Sequence, residues 1–104
     1  MTLENTPISP LDARRAEVAQ YDANIAMYEA IIATLPVEWP VHLEQFRGRT
    51  DHQAVAGEVE NLDDVELLSQ LLYRDQCKAS IRAEKMERTK AAAILAVLEA
   101  QANG

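Results

Sequence analysis

The sequence predicts an all-α protein: a long antiparallel helical hairpin, or small coiled-coil-like bundle, with short capping helices in the middle. Alanine, leucine and glutamate are abundant and favour helix, and the 104 residues include only three glycines and four prolines. A change in composition near Pro36 separates two long helical stretches. We therefore expect a flexible lead (1–8) and one helical domain (9–104), with a long helix at 9–35, a cap at 36–62 and a long helix at 63–102.

The first long helix has clear start and stop signals. Ser9 can cap its N-terminus and Pro10 suits the first helical position, while Pro36 cannot continue it. Between them, apolar residues recur every seven positions, with a second set interleaved three residues later. This is the a/d spacing of a coiled coil, and the seam consists of Leu11, Val18, Tyr21, Ile25, Tyr28, Ile32 and Leu35.

The middle segment contains the single tryptophan and the single phenylalanine. Trp39, Leu43 and Phe46 are spaced i, i+4, i+7, so a short helix would present all three on one side, and Gly48 is a suitable helix stop. Two interpretations stay open. The three side chains close the core of the cap, or they form an exposed aromatic anchor for a partner.

The last helix has no proline or glycine before Gly104. Its apolar residues are concentrated at two ends, around Leu67–Leu72 and Ile94–Leu98, and are sparse between Arg74 and Lys90. Because the seam of the first helix needs an apolar partner along its whole length, the sequence predicts a homodimer to which these two ends contribute.

Charge is unevenly distributed. The net charge is −7, yet six of the ten basic residues fall within 74–90. A basic stripe with spacings of 4, 4 and 3 lies on one helix face, and it comprises Arg74, Lys78, Arg82 and Lys85. An acidic patch precedes it, formed by Glu58, Glu60, Asp63, Asp64 and Glu66. It is a second candidate partner-binding surface, which could mimic nucleic acid toward a basic partner. The stripe is either a face that is solvated or paired with acids of the same fold, or a docking surface for a partner.

The sequence offers no catalytic, metal-binding or cofactor motif. His42, His52 and Cys77 have no zinc-ligand spacing, and the glycines form no phosphate loop. Nucleic acid is an unfavourable partner for a chain with pI near 4.7, because its negative charge repels phosphates. A single cysteine and the lack of a long apolar run predict a cytoplasmic protein without a membrane span.

The stretch LPVEWPVHLEQFRGRT, followed by the charged helix and the tail AAAILAVLEAQ, resembles small accessory proteins of temperate bacteriophages and prophages. The resemblance implies an acidic, helical, non-enzymatic protein that acts by occupying a host protein, such as a CRISPR complex or another defence or regulatory factor. We therefore expect a protein-interaction module that inhibits a host protein complex. The alternatives are a nucleic-acid-binding regulator that uses the basic stripe, and a structural coiled-coil component of a larger assembly.

Overall fold

The computed structural model describes residues 9–103, apart from the side chain of His52, and the regular structure of these residues is helical throughout. This confirms the all-α class. The elements are α1 (Pro10–Ala33), a 3₁₀ helix (Val41–Phe46), α2 (His52–Glu58) and α3 (Leu62–Asn103). The lead predicted at 1–8 lies outside the described residues.

Local capping determines where α1 begins and ends. The Ser9 hydroxyl oxygen accepts a hydrogen bond from the backbone N–H of Asp12 at 3.1 Å, which satisfies one of the free donors of the first turn. The helix ends at Ala33, two residues before the predicted end at 35. Leu35 precedes a proline, and the proline ring disfavours helical geometry in the residue before it.

Helix α3 determines the length of the molecule. Its 42 residues span about 63 Å at 1.5 Å per residue, and the molecule measures 63 × 34 × 22 Å. The helix begins at Leu62, one residue before the predicted start at 63. At this end the Asn61 side-chain oxygen accepts a hydrogen bond from the Asp63 N–H at 3.0 Å. The 24 residues of α1 span only about 36 Å, so α1 covers little more than half of α3.

Helices α1 and α3 pack against each other and run antiparallel. Residues early in α1 contact residues late in α3, and the contacts move towards the start of α3 as α1 proceeds. The pairs are Arg15 with Glu99 at 3.7 Å, Asp22 with Arg88, and Asn24 with Glu84 at 3.2 Å.

The segment between the long helices packs on the first part of α3. Its core consists of the buried side chains Leu43, Phe46, Val55, Leu68 and Leu72, and the half-buried Trp39, Val59 and Leu67 surround them. Pro36 and Pro40 keep the residues around Trp39 out of helix, so Trp39 precedes the 3₁₀ helix instead of sharing it with Leu43 and Phe46 as predicted. Gly48 has φ +85°, a left-handed conformation that glycine adopts without strain and that turns the chain towards α2.

Among the described residues, no helix combines the length and the apolar character that crossing a bilayer requires.

Candidate functional site

The four residues of the basic stripe line one groove between α3 and the end of α1. The groove has a volume of about 300 Å³. Helix α3 contributes the stripe and Ile81, and α1 contributes Glu29 and Ile32. Because α3 is continuous here, the stripe extends about 16 Å along the helix. The groove therefore has an apolar element on each helix, a cationic wall on α3 and one carboxylate on α1.

All ten basic residues lie within the described part of the chain, and six of them form ion pairs there. The paired residues are Arg14, Arg15, Arg47, Arg49, Arg88 and Lys90. Hydrogen bonds to Asp51 and Asp22 raise the pKa values of Arg49 and Arg88, respectively, above the usual arginine range. The four remaining bases are the four members of the stripe, and none of them has an acidic partner among the described residues.

Arg74 differs from the other three members because it is partly buried. Its Nε lies out of contact with water and has no hydrogen-bond acceptor among the described residues. An unsatisfied buried donor costs about 1–3 kcal/mol. Lys78, Arg82 and Lys85 are exposed, so water solvates their charges. The groove thus contains one guanidinium whose hydrogen bonding the fold leaves incomplete.

The structure brings three of the five acids of the acidic patch together. A second pocket of about 280 Å³, next to the 3₁₀ helix, is lined by Glu58, Glu60 and Asp64. The other two acids, Asp63 and Glu66, are exposed on α3. Two of the pocket acids have partners. Asp64 contacts His42 Nε2 at 3.1 Å and Glu58 pairs with Arg49. The basic stripe and the acidic patch therefore differ in how far the fold neutralises them.

The seam residues of α1 are buried or half-buried within the single chain. Ile25 is the most buried of them, and Leu11, Val18, Tyr21, Tyr28, Ile32 and Leu35 are half-buried. Burial raises the pKa of Tyr21, and the carboxylates of Glu17, Glu87 and Glu84 raise it further. Since α3 of the same chain packs against α1, a second copy is not needed to cover most of this seam.

The three residues predicted as an anchor or cap core lie together in the cap. Leu43 and Phe46 belong to its buried cluster. Trp39 packs against the outside of that cluster, and the Arg47 guanidinium lies 5.5 Å from the centre of its ring, which is cation–π distance.

The described residues contain no group of three or more His, Cys, Asp or Glu side chains placed to hold a metal ion. Cys77 is buried, with 2% of its surface exposed. A hydrogen bond with Cys77 is the main reason that the pKa of Tyr73 is raised. Cys77 is therefore buried on α3. His42 is exposed and bonded to Asp64, thirteen residues before Cys77 on the same helix.

Sequence reasoning missed the α1 side of the groove. The sequence pattern indicates no role for Glu29 and places Ile32 only in the seam. The signal that exists is the position of Glu29 one turn before Ile32, on the flank of the seam. That flank faces the stripe only if the two helices pack antiparallel in the observed register.

Comparisons with protein-family models, with curated proteins and with solved structures found no match to this chain. The groove and its charges are therefore the features from which a function can be inferred.

Proposed function

We propose that this chain is a non-enzymatic protein-interaction module that binds an acidic surface of a partner protein through the basic stripe. The observation that carries the proposal is the pairing of charges. In a chain of net charge −7, the four bases without an acidic partner among residues 9–103 all line one groove. Like charges at i, i+4 destabilise a helix by about 0.2–0.5 kcal/mol per pair, and an acidic partner would offset this cost.

In this proposal α1 and α3 act as a long antiparallel hairpin of coiled-coil type. The seam residues hold α1 at a fixed distance from α3, and the groove lies along the edge of that contact. A helix–helix scaffold suits a binding role because its side chains are held on rigid elements and not on loops. The short helices of the cap stabilise the part of α3 that α1 does not reach.

The resemblance to bacteriophage accessory proteins suggests what kind of partner the chain binds. The partner is then a host protein or protein complex in the cytoplasm, for example a CRISPR or other defence complex or a regulator, and binding inhibits it. The stripe provides a chemical reason for such binding, since it matches an acidic surface. No cofactor or metal ion takes part.

A second candidate function uses the same unpaired bases to bind nucleic acid. Two observations favour a protein partner instead. The rest of the chain is strongly acidic, and Glu29 on the opposite wall of the groove would repel phosphates. In addition, no aromatic side chain from the described part of the chain lines the groove, whereas single-stranded nucleic acid is commonly bound by aromatic stacking.

A third candidate function is a structural coiled-coil part of an assembly, and the homodimer also stays a prediction. Met86, Ile94 and Val97 favour self-association, because they lie on one face of α3 and are 63%, 42% and 57% exposed. A second copy that covers only Ile94 and Val97, at least about 13 Å along α3 from Lys85, would leave the groove accessible, so such a homodimer is compatible with the binding function. Open-ended self-association without a host partner would instead support the structural role.

The test is an affinity pull-down from nuclease-treated host lysate with matched charge reversals. Lys78→Glu reverses a stripe residue, and Lys90→Glu makes the same change on the same helix at a lysine that pairs with Glu87. We expect the wild type and Lys90→Glu to capture the same host protein, and Lys78→Glu to lose it while keeping its circular dichroism. Equal capture by both variants would show that the stripe is only a solvated face.

A further inference from the structure

The groove is more specific than a patch of positive charge. Ile32 from α1 and Ile81 from α3 contribute apolar surface, the basic stripe forms one wall, and Glu29 lies on the other side. A uniform polyanion matches only the wall on α3. It leaves the two isoleucines without an apolar partner and places negative charge against Glu29.

The length and the spacing of the stripe suit a helix that lies along the groove. The stripe advances by one helical turn per residue over about 16 Å, so carboxylates with the same spacing on another helix would meet its members in register. Apolar residues beside those carboxylates would contact Ile32 and Ile81. A basic residue on the far flank of the same helix would lie opposite Glu29, which has no ion pair within residues 9–103.

Arg74 is the stripe residue that would hold one carboxylate of the partner helix most firmly. A carboxylate that approaches the side of a guanidinium accepts hydrogen bonds from Nε and from one Nη, and such forked pairs are stronger and more directional than a single contact. The Arg74 Nε is out of contact with water and has no acceptor among residues 9–103. When the Arg74 side chain turns outward into the groove, a carboxylate there completes its hydrogen bonding, and a lysine at the same position could not form the fork.

We infer that the partner segment is an acidic amphipathic helix. Its carboxylates face the basic stripe, its apolar residues contact Ile32 and Ile81, and one carboxylate is held by the Arg74 guanidinium. This inference rests on the proposed function and adds the shape and the residue pattern of the partner segment.

The experiment uses the intact protein and three labelled probes in fluorescence anisotropy. The first is a peptide of about 18 residues, which is long enough to be helical. It has glutamates at the spacing of the stripe, leucines on the adjoining face and one lysine on the far flank. The second has the same composition in scrambled order, and the third is a single-stranded oligonucleotide of similar charge. We expect the ordered peptide to bind at least about tenfold more tightly than either of the other two probes. Only this peptide places glutamates against the stripe, leucines against Ile32 and Ile81, and a lysine against Glu29.

Two conservative variants test the anchor. Arg74→Lys keeps the charge and removes the forked hydrogen bonds, so it should lower the affinity for the ordered peptide about tenfold. Arg82→Lys, at an exposed position, should lower that affinity less than about threefold. Circular dichroism and thermal unfolding of both variants show whether the fold is intact. Equal effects of the two variants in folded protein would overturn the role of Arg74.

Glu29→Lys tests the opposite wall without touching the stripe. It should lower the affinity for the ordered peptide. A peptide whose flanking lysine is replaced by glutamate should in turn bind the variant more tightly than it binds the wild type. Equal binding of ordered and scrambled peptides, tighter binding of the oligonucleotide, or no peptide binding at all would overturn the amphipathic helix. If the pull-down still depends on Lys78 in that case, the proposed function stands and only the shape of the partner is wrong.

Discussion

Replacing Arg74 by methionine should stabilise the fold and abolish binding. Methionine is an unbranched side chain with helix propensity similar to that of arginine, so it keeps the packing of the stem while removing the charge and the buried Nε donor. Loss of the unsatisfied donor is worth about 1–3 kcal/mol. Loss of repulsion between Arg74 and Lys78 adds about 0.2–0.5 kcal/mol.

The expected gain in the free energy of unfolding is about 1–2 kcal/mol, towards the lower end because Arg74 is only partly buried. In a domain of this size, that corresponds to a rise in Tm of about 4–8 °C. The assay is urea unfolding followed by circular dichroism, together with a thermal melt of the same samples.

Arg82→Met is the matched control. Arg82 lies within one turn of two other cations but is exposed, so its replacement should raise the free energy of unfolding by only about 0.4–1 kcal/mol, through lost repulsion alone. A variant Arg74→Met that is no more stable than Arg82→Met would refute the reasoning, because the unsatisfied Nε would then carry no cost.

Three further predictions concern the scaffold. Leu71 is completely buried, so Leu71→Ala should lower the free energy of unfolding by about 3 kcal/mol through lost burial and a residual cavity, and a loss below about 1 kcal/mol in urea unfolding would contradict the packing. Ser9→Ala removes the cap of α1 and should cost about 1 kcal/mol, measured in the same way, and an unchanged urea midpoint would count against the cap. The folded state raises the pKa of Tyr21 above its ordinary value of 10.0, so the folded chain holds that proton more firmly and stability should fall as the pH rises above 10. Tyr21→Phe should make the urea midpoint less sensitive to alkaline pH, and an unchanged pH dependence would show that Tyr21 titrates normally.

Local signals in the sequence were sufficient to predict the helices but not the groove. Ser9 and Pro36 mark the limits of α1 because capping and proline chemistry act over a few residues. Trp39 lies outside the short helix predicted for it, since Pro40 interrupts the helical spacing that relates Trp39 to Phe46, although it packs against the same cluster. Here the apolar pattern and the proline signal disagreed, and the proline determined the backbone.

The groove depends on the register between two helices that are far apart in sequence. The spacing of the stripe could be read from α3 alone, but whether its charges were paired could not, because the acids of α1 lie more than forty residues away. The observed register places Asp22 at Arg88 and Glu84 at Asn24. It leaves Arg74 and Lys78 beside the end of α1, where no carboxylate among the described residues pairs with them.

The most direct test of the proposed binding site is an NMR titration that follows the Nε–H signals of the arginine side chains as a short polyglutamate peptide is added. If the groove is the acidic-partner site, the signals of Arg74 and Arg82 should shift together and saturate, while those of Arg15 and Arg88, which already pair with Glu99 and Asp22, stay in place. Shifts of equal size at the paired arginines, or none at Arg74, would contradict the central claim that the unpaired bases form the binding site.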